Sequence, residues 1–376
     1  MSRFFDLVSK PAREMAGHVP NQTASSPVVD TEPKLIRLDS NENPLGPSPR
    51  AVEAMRAALA ASNSYPDNDC SELRDRLAAH HEVPPEQILV TAGSTGMLGL
   101  LCQTLLAPGL NAVTSERSFI VYGMAVHAMG AQLIETPMRD HSFDLDAIQD
   151  AINEETRIVF LANPNNPTGT LLEAAAIDKF LAEVPGHVVV VLDEAYYEFA
   201  AYFAARRNTE YSRSLDYLRK GACVLVLRTF SKAHGLAGLR IGYGMGPAEL
   251  MAYCARMRNT FSVSSVAHAA ALAALDDQNH IARTLSNNSE QAQVLGIALS
   301  EMGYTVLPTW ANFLYCDVGD DAARFAQRLH DEGISVRPLG AWGAPSCVRV
   351  SIGTAEQNRA FLNAVARTPA KTSSTG

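Results

Sequence analysis

The chain has 376 residues, 47% hydrophobic and 19% charged, the balance of a globular protein with room for two domains or one large α/β unit. A formal net charge of −9 argues against a nucleic-acid or anionic-membrane surface, so an anionic ligand must be caught by a few placed cations. The six cysteines are scattered without a CxxC pair, as in a reduced protein, and the ten histidines form no HExxH or Cys/His cluster, which argues against a metal site. Residues 1–8 lack the apolar core of a signal peptide and no stretch approaches a membrane span, so a soluble cytoplasmic protein is expected.

Residues 1–44 read as an N-terminal arm, polar and proline-rich, that runs into the turn-dense segment Ser40-Asn-Glu-Asn-Pro-Leu-Gly-Pro-Ser-Pro49. Ser48 and Pro49 predict the start of a helix over 50–61, and Ser71 is expected to cap a helix ending near His81. Short apolar runs then alternate with helical patterns. Strands are predicted at 88–91, 112–114, 132–135, 157–162 and 187–193, with helices to Leu106, over 120–129, from Asp144 and over 173–183. Near-continuous Val/Leu runs separated by helices predict a mainly parallel sheet covered on both faces. After Gly246, helices at 247–258, 264–275 and 279–302 (the last read as two merged segments) precede strands near 312–317 and 347–352 and helices at 321–331 and 355–366. The expected division is a large domain over 45–275, a smaller α+β domain over 276–367 that takes in part of the N-terminal segment, and a disordered tail over 368–376.

The chemistry gathers at predicted strand ends, where open parallel sheets bind ligands. Thr229-Phe-Ser-Lys-Ala-His-Gly-Leu-Ala-Gly-Leu-Arg240 sets a lysine after an apolar strand and before a glycine-punctuated loop. A lysine in such surroundings can lose its proton and act as a nucleophile, while Thr229, Ser231 and Arg240 offer two hydroxyls and a cation to a phosphate. Gly93-Ser-Thr-Gly96 opens a helix and can present backbone N–H groups with Ser94 and Thr95 to an anion. It is neither a P-loop nor a nucleophile elbow. Asn163-Pro-Asn-Asn-Pro-Thr-Gly169 is a rigid turn holding asparagine amides, and Asp193-Glu-Ala-Tyr196 ends the strongest strand with an acid that needs a cationic partner, a structural arginine being the alternative. Gly242-Tyr-Gly-Met-Gly246 departs from the dinucleotide fingerprint in its third glycine and lacks the later acid, which argues against a nicotinamide enzyme.

Together these motifs resemble the fold-type I aminotransferases that use pyridoxal 5′-phosphate, over about residues 35–366. Asn41-Glu-Asn-Pro-Leu-Gly-Pro-Ser-Pro49 with Tyr65-Pro-Asp67 is similar to the histidinol-phosphate aminotransferase branch. The resemblance implies a fold-type I α/β transferase working by a ping-pong mechanism between an amino donor and a 2-oxo acid, histidinol phosphate and 2-oxoglutarate in that branch. It implies that Lys232 forms the Schiff base and moves the proton, that Asp193 pairs with the pyridinium nitrogen, and that Asn166 and Tyr196 bond the ring's phenolic oxygen. Phe119 would stack on the ring, and Ser94, Thr95, Thr229, Ser231 and Arg240 would hold its phosphate. Tyr65 would reach the phosphate of a neighbouring subunit, which implies a homodimer with shared active sites. Arg349, and second to it Arg337, would bind the substrate anion.

Two places depart from the branch. Pro20-Asn21 stands where a Pro-Tyr pair is usual, and Arg117-Ser118 stands where a proline-led pair is usual. Both bear on substrate, which leaves aromatic amino acids as an alternative donor. A decarboxylase of the same fold would keep every cofactor residue and differs in its product. A non-enzymatic sensor on this fold would need a DNA-binding domain, for which the arm is too short.

Overall fold

The computed structural model describes residues 7–14 and 35–367. The tail and most of the arm, Pro20-Asn21 included, lie outside these residues. Two sheets carry the architecture. Their strands, in chain order, are β1 (Ile36–Leu38), β2 (Ile88–Thr91), β3 (Asn111–Ser115), β4 (Gln132–Thr136), β5 (Met138–Arg139), β6 (Ser142–Phe143), β7 (Thr156–Ala162), β8 (Val189–Asp193), β9 (Val224–Thr229), β10 (Gly242–Met245), β11 (Thr305–Val306), β12 (Phe313–Asp317), β13 (Ile334–Pro338) and β14 (Cys347–Ser351). The large sheet runs β2-β10-β9-β8-β7-β3-β4 and the smaller runs β1-β13-β14-β12-β11, with β5 and β6 pairing as a hairpin.

Every residue of β3, β8 and β9 is buried, as the unbroken aliphatic runs require of strands covered on both faces. The neighbours β7, β8 and β9 are parallel, so their carboxyl ends fall on one edge. In the large sheet, β10 is antiparallel to both β2 and β9. The glycine-rich run Gly242–Met245 is therefore a strand. Glycine is needed there because a Cβ on Gly242 would lie 2.7 Å from the Ser94 nitrogen and 2.9 Å from the Arg228 carbonyl. Backbone runs that close weld β10 to the Gly93 turn.

The strand β1 leaves the N-terminal segment and pairs in parallel with β13, so residues 36–38 belong to the smaller sheet. The chain between β1 and the large sheet must then pass across the junction, and Asp39–Asn43 do so.

Local capping follows side-chain reach. Ser48 accepts from the Ala51 N–H at 3.0 Å at the start of Pro49–Ala58, which tightens into a 3₁₀ turn at Leu59–Ala61. Ser71 is not a cap. It is the first residue of Ser71–His81, and the carboxylate of Asp67 accepts its N–H at 2.6 Å. A carboxylate reaching in from the preceding turn does what the hydroxyl was expected to do. Gln278–Glu301 is one continuous helix without a break.

Candidate active site

The parallel strands end at a cavity of about 340 Å³ that lies between the two sheets' strand ends. Every residue nominated from the sequence lines it except Tyr65. Lys232, Arg240, Arg337 and Arg349 face Asp39 and Asp193 there, so a protein with net charge −9 concentrates cations in its cavity.

Lys232 follows β9 by three residues, and its Nζ donates to the Ser40 and Asn41 carbonyls, each at 3.3 Å. Burial, then the cation of Arg349, lowers its pKa to about 7. A large share of such amines is neutral at physiological pH, as a nucleophile requires. Asp193 closes β8. Burial raises its pKa to about 6, against the Tyr122 hydroxyl, which donates to Oδ2 at 2.9 Å, and the Ala195 N–H, which donates to Oδ1 at 3.2 Å. The structural arginine that was the alternative partner for this acid goes to its neighbour instead. Arg228 pairs with Glu194 at 2.8 Å, both almost wholly buried, and Ser212 and Ser214 donate to the same carboxylate. Asp193 is left with hydrogen-bond donors and no arginine, free to answer a cation in the cavity.

The anion-binding end is built from three segments. The helix Gly93–Leu105 begins without a side-chain cap, so the N–H groups of its first turn, which holds Ser94 and Thr95, have no capping side chain. The hydroxyls of Thr229 and Ser231 lie 3.0 Å apart, and Arg240 Nη1 donates to Ser231 Oγ at 3.2 Å. A Cβ on Gly93 would sit 2.6 Å from Arg240 Nη2, so the guanidinium can approach the turn this closely only because residue 93 has no side chain.

The opposite end is organised by Arg349, on β14. Its Nη1 donates to Asn166 Oδ1 at 2.6 Å, its Nη2 donates to the Asp39 carbonyl at 2.9 Å, and its buried Nε has no partner among the described residues. Burial lowers its pKa to about 10, so it stays charged at neutral pH. Arg337 stands directly opposite on β13. The two guanidinium groups are partly offset by the Asp39 carboxylate, which interacts with both, and the pair remains a site for a further anion.

Tyr196 is buried with its ring edge on Phe313, and its hydroxyl accepts from Asn166 Nδ2 at 3.3 Å. Phe119 meets Tyr122 edge-on at 5.6 Å. Tyr65 is 83% exposed and stacks on Phe261, outside this cavity. Asn41, Tyr122 and Trp342 were missed in the sequence. Tyr122 follows Phe119 by three residues across the turn that opens the helix Val121–Ala128, its N–H donating to the Phe119 carbonyl at 3.0 Å, a spacing that could have flagged it. Among the described residues no cluster of His, Cys, Asp or Glu could hold a metal ion, and no helix is long and apolar enough to cross a membrane.

The family model described as aminotransferase class I and II matches residues 33–365. The chain belongs to this family. A relative of this aminotransferase, histidinol-phosphate aminotransferase 2 of Pseudomonas aeruginosa, is 41% identical over 370 residues, covering 98% of this chain and 99% of its own. The histidinol-phosphate aminotransferase of Moorella thermoacetica is 41% identical over 88% of this chain and 84% of its own. Among solved structures, the histidinol-phosphate aminotransferase of Sinorhizobium meliloti in complex with pyridoxal 5′-phosphate superposes with a TM-score of 0.84 at 29% identity, over 98% of this chain and 97% of that one. The aspartate aminotransferase of Thermus thermophilus with maleate gives 0.78 at 25% identity, over 89% and 91%.

Proposed function

We propose that this enzyme is a pyridoxal-phosphate-dependent aminotransferase that moves an amino group from histidinol phosphate to 2-oxoglutarate. The observation that carries the donor is the 41% identity to a histidinol-phosphate aminotransferase across 98% of the chain.

The cavity's residues fit the cofactor. A lysine amine with its pKa held near 7, a buried acid without an arginine, an uncapped helix start and a guanidinium pressed on Gly93 are what its aldehyde, ring nitrogen and phosphate require. Bound there, the cofactor supplies an electron sink that makes the donor's Cα–H acidic.

Lys232 would hold the cofactor covalently and, once released by the donor, take the proton from Cα. Asp193 would keep the ring nitrogen protonated. Asn166 and Tyr196 would bond the phenolic oxygen, Phe119 would cover the ring face, and Ser94, Thr95, Thr229, Ser231 and Arg240 would grip the phosphate. Arg349 and Arg337 would take the substrate anion. A ping-pong enzyme must seat both substrates in one pocket, and histidinol phosphate and 2-oxoglutarate each carry an anion that the arginine pair can answer.

The exposed Tyr65 supports a homodimer in which it reaches the other subunit's phosphate. The chain then divides into a large domain over 45–275 and a small one over 276–367, in a cytoplasmic enzyme.

The test is an absorbance spectrum of purified holoenzyme before and after adding L-histidinol phosphate, phenylalanine or glutamate in parallel. Bleaching with histidinol phosphate and with glutamate, with a keto product and no carbon dioxide, is expected. Bleaching with phenylalanine but not histidinol phosphate would move the donor to the aromatic class. Release of carbon dioxide would make the enzyme a decarboxylase.

A further inference from the structure

Asn41 belongs to the segment that crosses between the two sheets, and no role above uses it. It is 1% exposed and holds φ at +55°, a left-handed conformation that a non-glycine residue keeps only where its surroundings enforce it. Its contacts join three parts of the chain. Its carbonyl accepts from Lys232 Nζ at 3.3 Å and from Asn312 Nδ2 at 3.0 Å. Its N–H donates to Ser351 Oγ at 2.7 Å, and its Nδ2 donates to the Tyr196 hydroxyl at 2.9 Å.

The proton positions follow from these partners. Ser351 Oγ accepts the Asn41 N–H, and its own proton goes to Asn41 Oδ1 at 3.2 Å, which turns the amide's NH₂ toward Tyr196. Arg349 is a donor only, so Asn166 Oδ1 must face it at 2.6 Å and Asn166 Nδ2 must face Tyr196. A phenol oxygen has two lone pairs and one proton. Two amides fill the lone pairs. The proton is left for the cavity.

We propose that Asn41, oriented by Ser351, is a positioning residue that commits Tyr196 to donate its phenolic proton to the group bound in the cavity. This rests on the reading of that cavity as the pyridoxal phosphate site, where the group is the cofactor's phenolic oxygen. The charged and titratable groups facing Tyr196 are Asp193 from β8, Lys232 beyond β9, Arg349 from β14 and Tyr122, whose hydroxyl donates to Asp193, from the helix Val121–Ala128. None of them accepts the phenolic proton among the hydrogen bonds described.

The test is the pH midpoint of the bound cofactor's absorbance change in four reconstituted proteins: Asn41→Asp, Ser351→Ala, Tyr196→Phe, and Asn41→Asp combined with Tyr196→Phe. A donor to the phenolic oxygen stabilises its anion, so losing the donor raises the midpoint. Asn41→Asp places an acceptor beside Tyr196 and draws its proton away, so the midpoint should rise by about one pH unit. Ser351→Ala, which alters neither backbone nor charge, should move it the same way by less, and it carries the test if the Asp variant does not take up cofactor. In the Tyr196→Phe background Asn41→Asp should add no further shift. An unchanged midpoint in Ser351→Ala and Asn41→Asp would overturn the proposal, and so would an equal shift with and without the Tyr196 hydroxyl, since that is the effect of charge alone. A wild-type protein that takes up no pyridoxal phosphate would instead overturn the reading of the site.

Discussion

A lysine becomes useful in this molecule because of where it is buried. Removal from water and the nearby cation of Arg349 lower the Lys232 pKa to about 7, against a carboxylate of Glu42 that acts the other way. The sign of the consequence is fixed: the neutral, nucleophilic amine dominates above that pH and is lost below it. Uptake of pyridoxal phosphate by the cofactor-free protein should therefore speed up as pH rises, reach half its maximum near pH 7, and fall about tenfold for each further unit of acid. Stopped-flow absorbance across that range measures it, and a flat profile would show that the amine is not held there.

At the scale of elements, β8 and β9 are locked beside the site by the Glu194–Arg228 pair, which bridges adjacent strand ends at 2.8 Å, with the Tyr197 ring 3.4 Å from the guanidinium. Replacing one partner strands the other charge without solvent. Glu194→Gln should destabilise the protein by about 3–5 kcal/mol, read by denaturant unfolding, whereas replacing both partners with apolar residues should recover much of that loss. The weld between β10 and the Gly93 turn is as local. Gly242→Ala drives a methyl into the Ser94 nitrogen, where the distance would be 2.7 Å. Displacing that turn should weaken cofactor affinity by roughly 10–100-fold with little effect on the donor's own binding, measured by equilibrium dialysis against pyridoxal phosphate.

At the scale of the whole molecule, the cavity draws on β8, β9, β13, β14 and the crossing segment at once, so neither sheet alone contains it. Tyr65 lies 83% exposed on Phe261, away from that cavity. If it completes the site of a second subunit, Tyr65→Phe should lower cofactor affinity about tenfold while leaving the sedimentation of the dimer unchanged. Mixed dimers of Tyr65→Phe with Lys232→Ala should then place one intact site and one doubly damaged site in each particle. An unaltered affinity would show that the hydroxyl has no part in the phosphate grip.

The aliphatic runs of β7, β8 and β9 by themselves determined a covered parallel sheet, because strands buried on both faces admit no polar alternation. The spacing of Asn166, Asp193, Lys232 and Arg240 was legible for a related reason: each ends or follows a strand, so local sequence placed them at one sheet edge. Partner choice was not legible. Local pattern could not tell that the buried arginine would pair with Glu194 rather than Asp193, or that Asp67 rather than Ser71 would cap a helix. Nor could it show that a glycine-rich stretch would be an antiparallel strand. Asn41 makes the same point most fully. Its partners Tyr196, Lys232, Asn312 and Ser351 lie between 155 and 310 residues away along the chain, and only the packing of the two sheets brings those hydrogen-bonding groups to one amide. A hydrogen bond reads distance and direction in space, and sequence separation carries neither.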